Sequence, residues 1–409
     1  MSVLRPQKKK PERSRRKFLA VAAVAGGSVA LTSCGNTDDT PVPTGANMRP
    51  YGERAPQEKI RRTIRELTAS PGTGSSRTPL QDLYGIITPS ALHYERHHAG
   101  VPAIDPATHT LLIHGLVDKP LVFTLDDIRR FPATSRITFL ECGGNSVGEQ
   151  GGKFPETVQG SHGLLSGAQW TGVPLATVLR EVGLKPEAKW MLAEGADACR
   201  MARSIPIEKA LDPEVLLAYG QNGEALRPEN GYPLRLIIPG WEGNTNVKWL
   251  RRLHLTDQPA MSSKETGYYT ELRPDGKAEM FTFVMEARSV ITRPSGGQKL
   301  TSHGFHEIVG LAWTGRGKIR QVEVSVDNGK TWAEAELQEP VLPKALTAFR
   351  FPWRWNGEET VIQCRCTDET GYLQPTREEL IAVRGLYSGY HYNGLRPWRI
   401  RATGEVQSA

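Results

Sequence analysis

The sequence predicts two folded domains in series, an α+β domain over residues 80–279 and an all-β sandwich over residues 280–409. Three observations carry this. From about residue 80 to 277 short alternating runs mix with helical spacings, with no long βαβ series. After about 280 the helical spacings vanish. There Val322, Val324 and Val326 alternate into the turn Asp327-Asn328-Gly329, and a second alternating run, 332–337, follows at once. Asn-Gly between two alternating runs is the strongest short-range hairpin signal.

The first 33 residues read as an address. Arg15 and Arg16 form a twin-arginine sequence, preceded by Lys8-Lys9-Lys10 and followed by an apolar stretch over 20–31. That stretch is too short for a permanent membrane span and has the basic flank of an export signal. The twin-arginine route carries folded proteins, often with a cofactor seated, and implies a periplasmic destination. Leu31-Thr32-Ser33-Cys34-Gly35 also resembles a lipobox, so a lipid anchor at Cys34 stands beside ordinary cleavage with Cys34 incidental. The chain carries a formal charge of +7, and residues 1–33 hold eight basic residues against Glu12 alone. The remainder is therefore neutral, and nothing in it argues for nucleic acid.

Residues 34–79 read as a linker rich in Pro, Gly, Thr and Asn, with a short amphipathic helix at 56–70 from the spacing of Ile60, Ile64 and Leu67. Strands follow at 110–115 and 121–124, a helix at 125–131, and a strand at 137–141 ending on Cys142. A helix at 175–182 is closed by Gly183, an apolar run at 234–239 ends in Pro-Gly, and 248–255 is a strand. In the second domain 320–326, 361–367 and 379–383 are strands, and the whole suits an immunoglobulin-like sandwich. Cys364 and Cys366 lie two apart on one strand face, as core residues do, and no Cys-X-X-Cys occurs to hold zinc or form a redox dithiol.

Cys142 is the most informative residue. It closes an alternating strand and is followed by Gly143 and Gly144, so a bulky group can approach the sulfur and the neighbouring amides. A thiol there is well placed to be a thiolate, as nucleophile or soft metal ligand, against the simpler reading of a buried structural cysteine. His93, His97 and His98 invite a metal reading, but no further His or Asp cluster completes a zinc set. A loop of partly exposed histidines is preferred.

Several motifs now stand in one order: Arg96-His97-His98 with Val101-Pro102, Glu141-Cys142-Gly143-Gly144-Asn145, and Gln169-Trp170-Thr171-Gly172-Val173-Pro174-Leu175. Gly231-Tyr232-Pro233-Leu234-Arg235, Asn246-Val247-Lys248-Trp249-Leu250 and the hairpin at 324–332 continue it. This order resembles the sulfite oxidase family of molybdenum enzymes over nearly all of residues 85–409. Arg384-Gly385-Leu386 and Tyr390-His391-Tyr392-Asn393 look most like the molybdenum subunit of Sox-type sulfane dehydrogenases. The resemblance implies a molybdopterin-binding fold, a molybdenum-molybdopterin cofactor with Cys142 as the single protein ligand to the metal, and oxidation of a sulfur compound. It assigns Arg96, Arg384 and Tyr269 (or its neighbour Tyr268) to the substrate, and His98, Arg235 and Lys248 to the pterin and its phosphate. The chemistry agrees, since thiolate suits a polarizable high-valent metal and planar guanidinium forks suit sulfur oxyanions.

Two departures from the animal and plant sulfite oxidases stand out. Their further arginine, five residues after the cysteine, is Val147 here, and no Trp lies between Cys142 and Trp170. A less cationic pocket disfavours free sulfite and favours a sulfane sulfur on a carrier protein. The sequence holds no Cys-X-X-Cys-His haem motif, so a separate acceptor, a c-type cytochrome subunit, is expected, and by resemblance the sandwich serves homodimerisation. The rivals are a molybdopterin sulfoxide reductase, a metal-free scaffold of the same fold and, last, a hydrolase built on Cys142 and His98.

Overall fold

The computed structural model describes residues 45, 47–66, 71–387 and 389–409. The export signal expected at 1–33 and Cys34 lie outside them. The chain divides into two compact units, Met1–Glu58 and Lys59–Ala409, and the described residues of the first carry neither helix nor strand.

The second unit begins with a three-stranded antiparallel sheet of Thr63–Glu66, Gly74–Arg77 and Glu95–His97. This corrects two expectations. The segment read as an amphipathic helix over 56–70 contains a strand: Ile64 is 73 % exposed, so its apolar spacing has no face to bury, and pairing with 74–77 decides its conformation. The histidines read as lying in a loop sit on and beside the Glu95–His97 strand, with His93 and His97 buried.

Two five-stranded sheets then share a core. One joins Thr134–Glu141, Leu165–Pro174, Leu216–Gln221, Glu224–Ala225 and Arg235–Ile237; the other joins Leu121–Thr124, Thr110–Gly115, Leu250–Thr256, Trp190–Gly195 and Ala202–Pro206. Thr110–Gly115, Leu121–Thr124 and the helix Leu175–Val182 stand where expected. The helix buries Leu175, Val178, Leu179 and Val182 at the spacing of one helical face. Gly183 follows at φ 66, where a Cβ would meet the Asp118 carboxylate at 2.5 Å, so only glycine closes this helix. The helix expected at 125–131 spans Leu125–Arg129, started by a capping box between Thr124 and Asp127.

From Arg288 onward two antiparallel sheets enclose another core, with Trp313, Phe349, Val322, Ile362 and Trp398 fully or almost fully buried. One sheet holds Arg288–Arg293, Gly304–Trp313, Thr347–Trp355 and Glu336–Leu337, the other Ala333–Glu334, Ile319–Ser325, Thr360–Asp368, Trp398–Ile400 and Val406–Ser408. Cys364 and Cys366 are buried free thiols, as a core role requires. The run expected as one strand over 332–337 divides, Ala333–Glu334 pairing in one sheet and Glu336–Leu337 in the other.

A further expectation is overturned. The strand read at 379–383 is the helix Arg377–Arg384, so this region is not purely β. Thr376 accepts from the Glu379 amide while the Glu379 side chain accepts from the Thr376 amide, and that reciprocal cap decides for helix a short apolar run, 380–383, that by itself suits a strand as well.

Candidate active site

The cavity around Cys142 begins with how its strand end is gripped. Glu141 is fully buried and its carboxylate accepts from Arg288 NH1 at 2.8 Å, Asn145 Nδ2 at 2.9 Å and Trp313 Nε1 at 2.6 Å. Arg288 and Trp313 belong to the strands Arg288–Arg293 and Gly304–Trp313, so the C-terminal region clamps the residue next to the cysteine. The turn that follows is closed by Asn145 N donating to Cys142 O at 2.8 Å. A Cβ at Gly143 would lie 2.7 Å from the Glu242 carboxylate passing behind the turn, which is why a side chain is excluded there.

Burial pushes the half-buried Cys142 thiol above its ordinary value, against the opposing pull of the Gly144 amide and Arg96. This shift belongs to the sulfur without a metal on it. The turn amides do not suffice, and a bound cation is what holds such a sulfur deprotonated.

The cavity wall brings Cys142 together with Arg96, His98, Arg235, Lys248 and Tyr269. Arg96 donates to the backbone oxygens of Gly74 and His97, and among the described residues no carboxylate is paired with it. His98 is pushed down to about 4 by burial and by Arg96, so it is a neutral imidazole, 3.4 Å from the Tyr269 hydroxyl. Tyr269 is buried while Tyr268 is 52 % exposed, which settles which of the two belongs to the cavity.

Arg235 and Lys248 form its cationic end. Arg235 donates to the carbonyls of Asn230 at 2.7 Å and Asn246 at 3.0 Å, and burial lowers it to about 10. Lys248 donates to Glu229 O at 3.0 Å, Arg96 O at 3.3 Å and His97 Nδ1 at 2.9 Å, and is pushed down to about 7 by burial and by Arg235. With Nδ1 accepting, His97 presents its other nitrogen to Glu95, which Arg62 and Ser76 hold from behind at 2.8 Å and 2.9 Å. Neither Arg235 nor Lys248 is ion-paired among the described residues. Three buried polar atoms on the same wall, His93 Nε2, Arg235 Nε and Asn244 Nδ2, also lack a partner. Unpaired buried cations and orphaned polar atoms are costly unless an anion rich in acceptor oxygens joins them. The cavity therefore fits a phosphorylated cofactor at this end and a soft metal at the Cys142 end.

A pH dependence follows for cofactor-free protein. Lys248 falls from 10.5 to about 7 on folding, so between those values the unfolded chain binds the extra proton and stability rises with pH. In Lys248→Met this part of the rise between pH 7 and 9 is expected to disappear, and the variant should be the more stable protein at pH 7. Urea denaturation of both proteins at the two pH values checks this; identical slopes would show that folding does not depress the Lys248 amine.

Arg384 does not join the cavity, which corrects the expectation of two convergent arginines. Its guanidinium is ion-paired with buried Glu271 and donates to His391 O at 3.0 Å, and it lines a neighbouring cavity instead. A carboxylate close at hand outcompetes a distant site for the fork. Sequence reading missed the group beneath Tyr269. There fully buried Arg203 pairs with Glu242 at 2.7 Å and Glu265 at 3.1 Å, its guanidinium lies 4.8 Å from the Tyr269 ring centre, and His391 Nε2 lies 3.1 Å from Glu242. These residues come from separate segments and no spacing marks them.

Residues 98–264 match the family described as oxidoreductase molybdopterin binding domain, and residues 279–395 that described as Mo-co oxidoreductase dimerisation domain. The chain is 31 % identical to the mitochondrial sulfite oxidase of Mus musculus over 379 residues, covering 86 % of this chain and 68 % of that protein. It is 33 % identical to the NADH nitrate reductase of Solanum lycopersicum over 345 residues, 74 % of this chain and 38 % of the longer relative. Among solved structures it is similar to the sulfane dehydrogenase SoxCD from Paracoccus pantotrophus, with a TM-score of 0.86 and 45 % identity, covering 92 % of this chain and 96 % of that one.

Proposed function

Since the chain belongs to the sulfite oxidase family of molybdopterin oxidoreductases, we propose that it is an exported dehydrogenase oxidising sulfite or a carrier-borne sulfane sulfur and passing the electrons to a c-type cytochrome. One observation carries the reading: a single cavity holds the Cys142 thiol, a guanidinium free of carboxylates at Arg96, and two buried cations that lack counterions. Those unmatched charges speak against a metal-free scaffold, in which they would be a pure cost.

The cofactor supplies two-electron redox and oxygen-atom transfer chemistry when bound. Cys142 is its protein ligand to molybdenum, and Arg235, Lys248 and His98 hold its pterin and phosphate. Arg96 orients the sulfur compound and meets the negative charge that develops on its oxygens, and buried Tyr269 presents a neutral hydroxyl beside His98. Two electrons must then leave, and the sequence provides no haem attachment motif, hence the separate cytochrome. Export follows the twin-arginine signal at 1–33, with a lipid anchor at Cys34 as the alternative to plain release. The two-sheet region from residue 280 is taken as an immunoglobulin-like homodimerisation domain, in keeping with its family match.

Molybdenum content together with steady-state rates on sulfite and on a persulfide-bearing peptide tests the reading. A metal-free protein, or one reducing sulfoxides while oxidising neither probe, sinks it. Arg96→Gln should raise KM and lower kcat, a joint loss of about 2.7–4 kcal/mol in transition-state stabilisation. Unchanged kinetics would remove Arg96 from the site.

A further inference from the structure

We infer that Glu149 is a buried proton-binding group and a positioning residue for the cysteine turn: its neutral acid keeps the helix after that turn seated on the C-terminal segment, and its carboxylate loosens it. The role goes beyond the functional reading above, and only its effect on turnover rests on that reading.

The turn after Cys142 runs straight into the short helix Val147–Gln150 through Ser146, which adopts φ 60. That conformation is uncommon for a residue with a side chain, and the Ser146 hydroxyl holds it by donating to Ser161 O at 2.7 Å. The far end of the helix is gripped from the C-terminal side. Arg377 donates to Glu149 O at 3.0 Å and to Gln150 O at 2.8 Å, and Gln150 Nε2 donates to Gly385 O. Whatever shifts this helix therefore pulls on the turn from its downstream end.

The Glu149 side chain is 0 % exposed, and neither of its oxygens accepts a hydrogen bond from a described residue. Arg396 NH1 stands 3.6 Å from Oε1, too far for one. Arg396 is itself fully buried and committed elsewhere: NH2 donates to Pro155 O at 2.5 Å and Ser408 Oγ at 3.0 Å, and the guanidinium lies 4.3 Å from a Trp398 ring centre. Arg288 also faces Glu149, but spends NH1 on Glu141 at 2.8 Å and NH2 on His162 at 2.9 Å. Tyr392, 1 % exposed with an unpaired hydroxyl, completes the surroundings, and Glu149 is the charge that most opposes its ionisation. A buried carboxylate without hydrogen bonds, among cations engaged with other partners, favours its neutral form. Burial accordingly pushes Glu149 up to about 7, against the pull of Arg396 and Arg288.

The unfolded chain releases this proton near 4.5 and the folded protein near 7, so the stability it contributes is full below 4.5 and lost as pH rises through 7. Above that value the carboxylate reaches water most readily if the helix parts from the C-terminal segment, and Ser146 and the turn move with it. Arg288 adds a second link, since the arginine that faces Glu149 also holds Glu141 beside Cys142.

The test compares the full cofactor-loaded chain with Glu149→Gln, which keeps the shape and cannot ionise, and with Glu149→Asp, which can. Infrared difference spectra between pH 6 and pH 8 should show a neutral carboxyl band lost as pH rises in the wild type and in Glu149→Asp, and no such change in Glu149→Gln. Hydrogen exchange of the amides of residues 147–152, corrected for its intrinsic pH dependence, should quicken over the same interval in the wild type and not in Glu149→Gln. On sodium sulfite the ratio of kcat at pH 8 to kcat at pH 6 should be at least about twofold higher in Glu149→Gln than in the wild type. A wild type without the band change, or a Glu149→Gln variant that keeps it, overturns the proton site. Equal exchange, or equal kcat ratios, overturns the positioning role. A protein that oxidises no sulfur compound sinks the functional reading alone, because the infrared and exchange results decide this inference without it.

Discussion

Cys142→Ser is expected to strip molybdenum from the protein and with it all measurable turnover, while leaving the fold intact. Losing an outer-shell partner of a metal ligand costs roughly 10–100-fold in affinity or activity, and losing the ligand itself costs more. A serine hydroxyl stays protonated near neutral pH and is a harder, poorer partner for a polarizable metal than a thiolate. The fold should tolerate the change because the anchors of the turn lie elsewhere: Glu141 keeps Arg288, Asn145 and Trp313, and the Cys142 backbone keeps Leu164 O at 3.0 Å. Metal analysis, steady-state kinetics and circular dichroism on the same preparation check it. A serine variant with wild-type molybdenum and rates would exclude Cys142 as the ligand.

Arg203→Ala should be the most destabilising single change near the site. Arg203 is fully buried between Glu242 and Glu265, themselves 1 % and 0 % exposed, so its removal leaves two carboxylates facing each other without a cation. Removing one partner of a buried ion pair costs about 3–5 kcal/mol. Burial alone would raise Glu242, yet Arg203 and His391 hold it below the ordinary carboxylate value. In the wild type its contribution is therefore present at neutral pH and is lost as pH falls through the folded value. In the variant burial wins, Glu242 takes up a proton more readily, and the deficit should shrink on acidification. Urea midpoints at pH 7 and pH 5 check both signs, and Arg203→Met combined with Glu242→Gln should recover part of the loss. A deficit below about 1 kcal/mol, typical of a surface pair, would show that the network carries little stability.

Cys142 was legible because its signals are local, an alternation ending on it and paired glycines after it, whereas Arg96, His98, Arg235, Lys248 and Tyr269 came only from the family resemblance; all six line one cavity. Two failures have different causes. The helix at Arg377–Arg384 carried its own mark, Thr376 three residues ahead of Glu379, which the short apolar run 380–383 hid. The strand at Thr63–Glu66 had no such mark, since its conformation comes from pairing with 74–77.

Sequence alone determined where strands and helices of regular periodicity run, that Cys142 tops a strand beside a side-chain-free turn, and which motifs accompany it. Tertiary structure alone decided that Arg384 turns to Glu271, that Arg203 lies beneath Tyr269, and that the Tyr390 ring lies against the glycine turn after Cys142. The reason is one of range: periodicity, caps and turn residues act within a few positions along the chain. The direction of a guanidinium or a ring is set by whichever carboxylate, carbonyl or aromatic face the folded chain brings within a few ångströms.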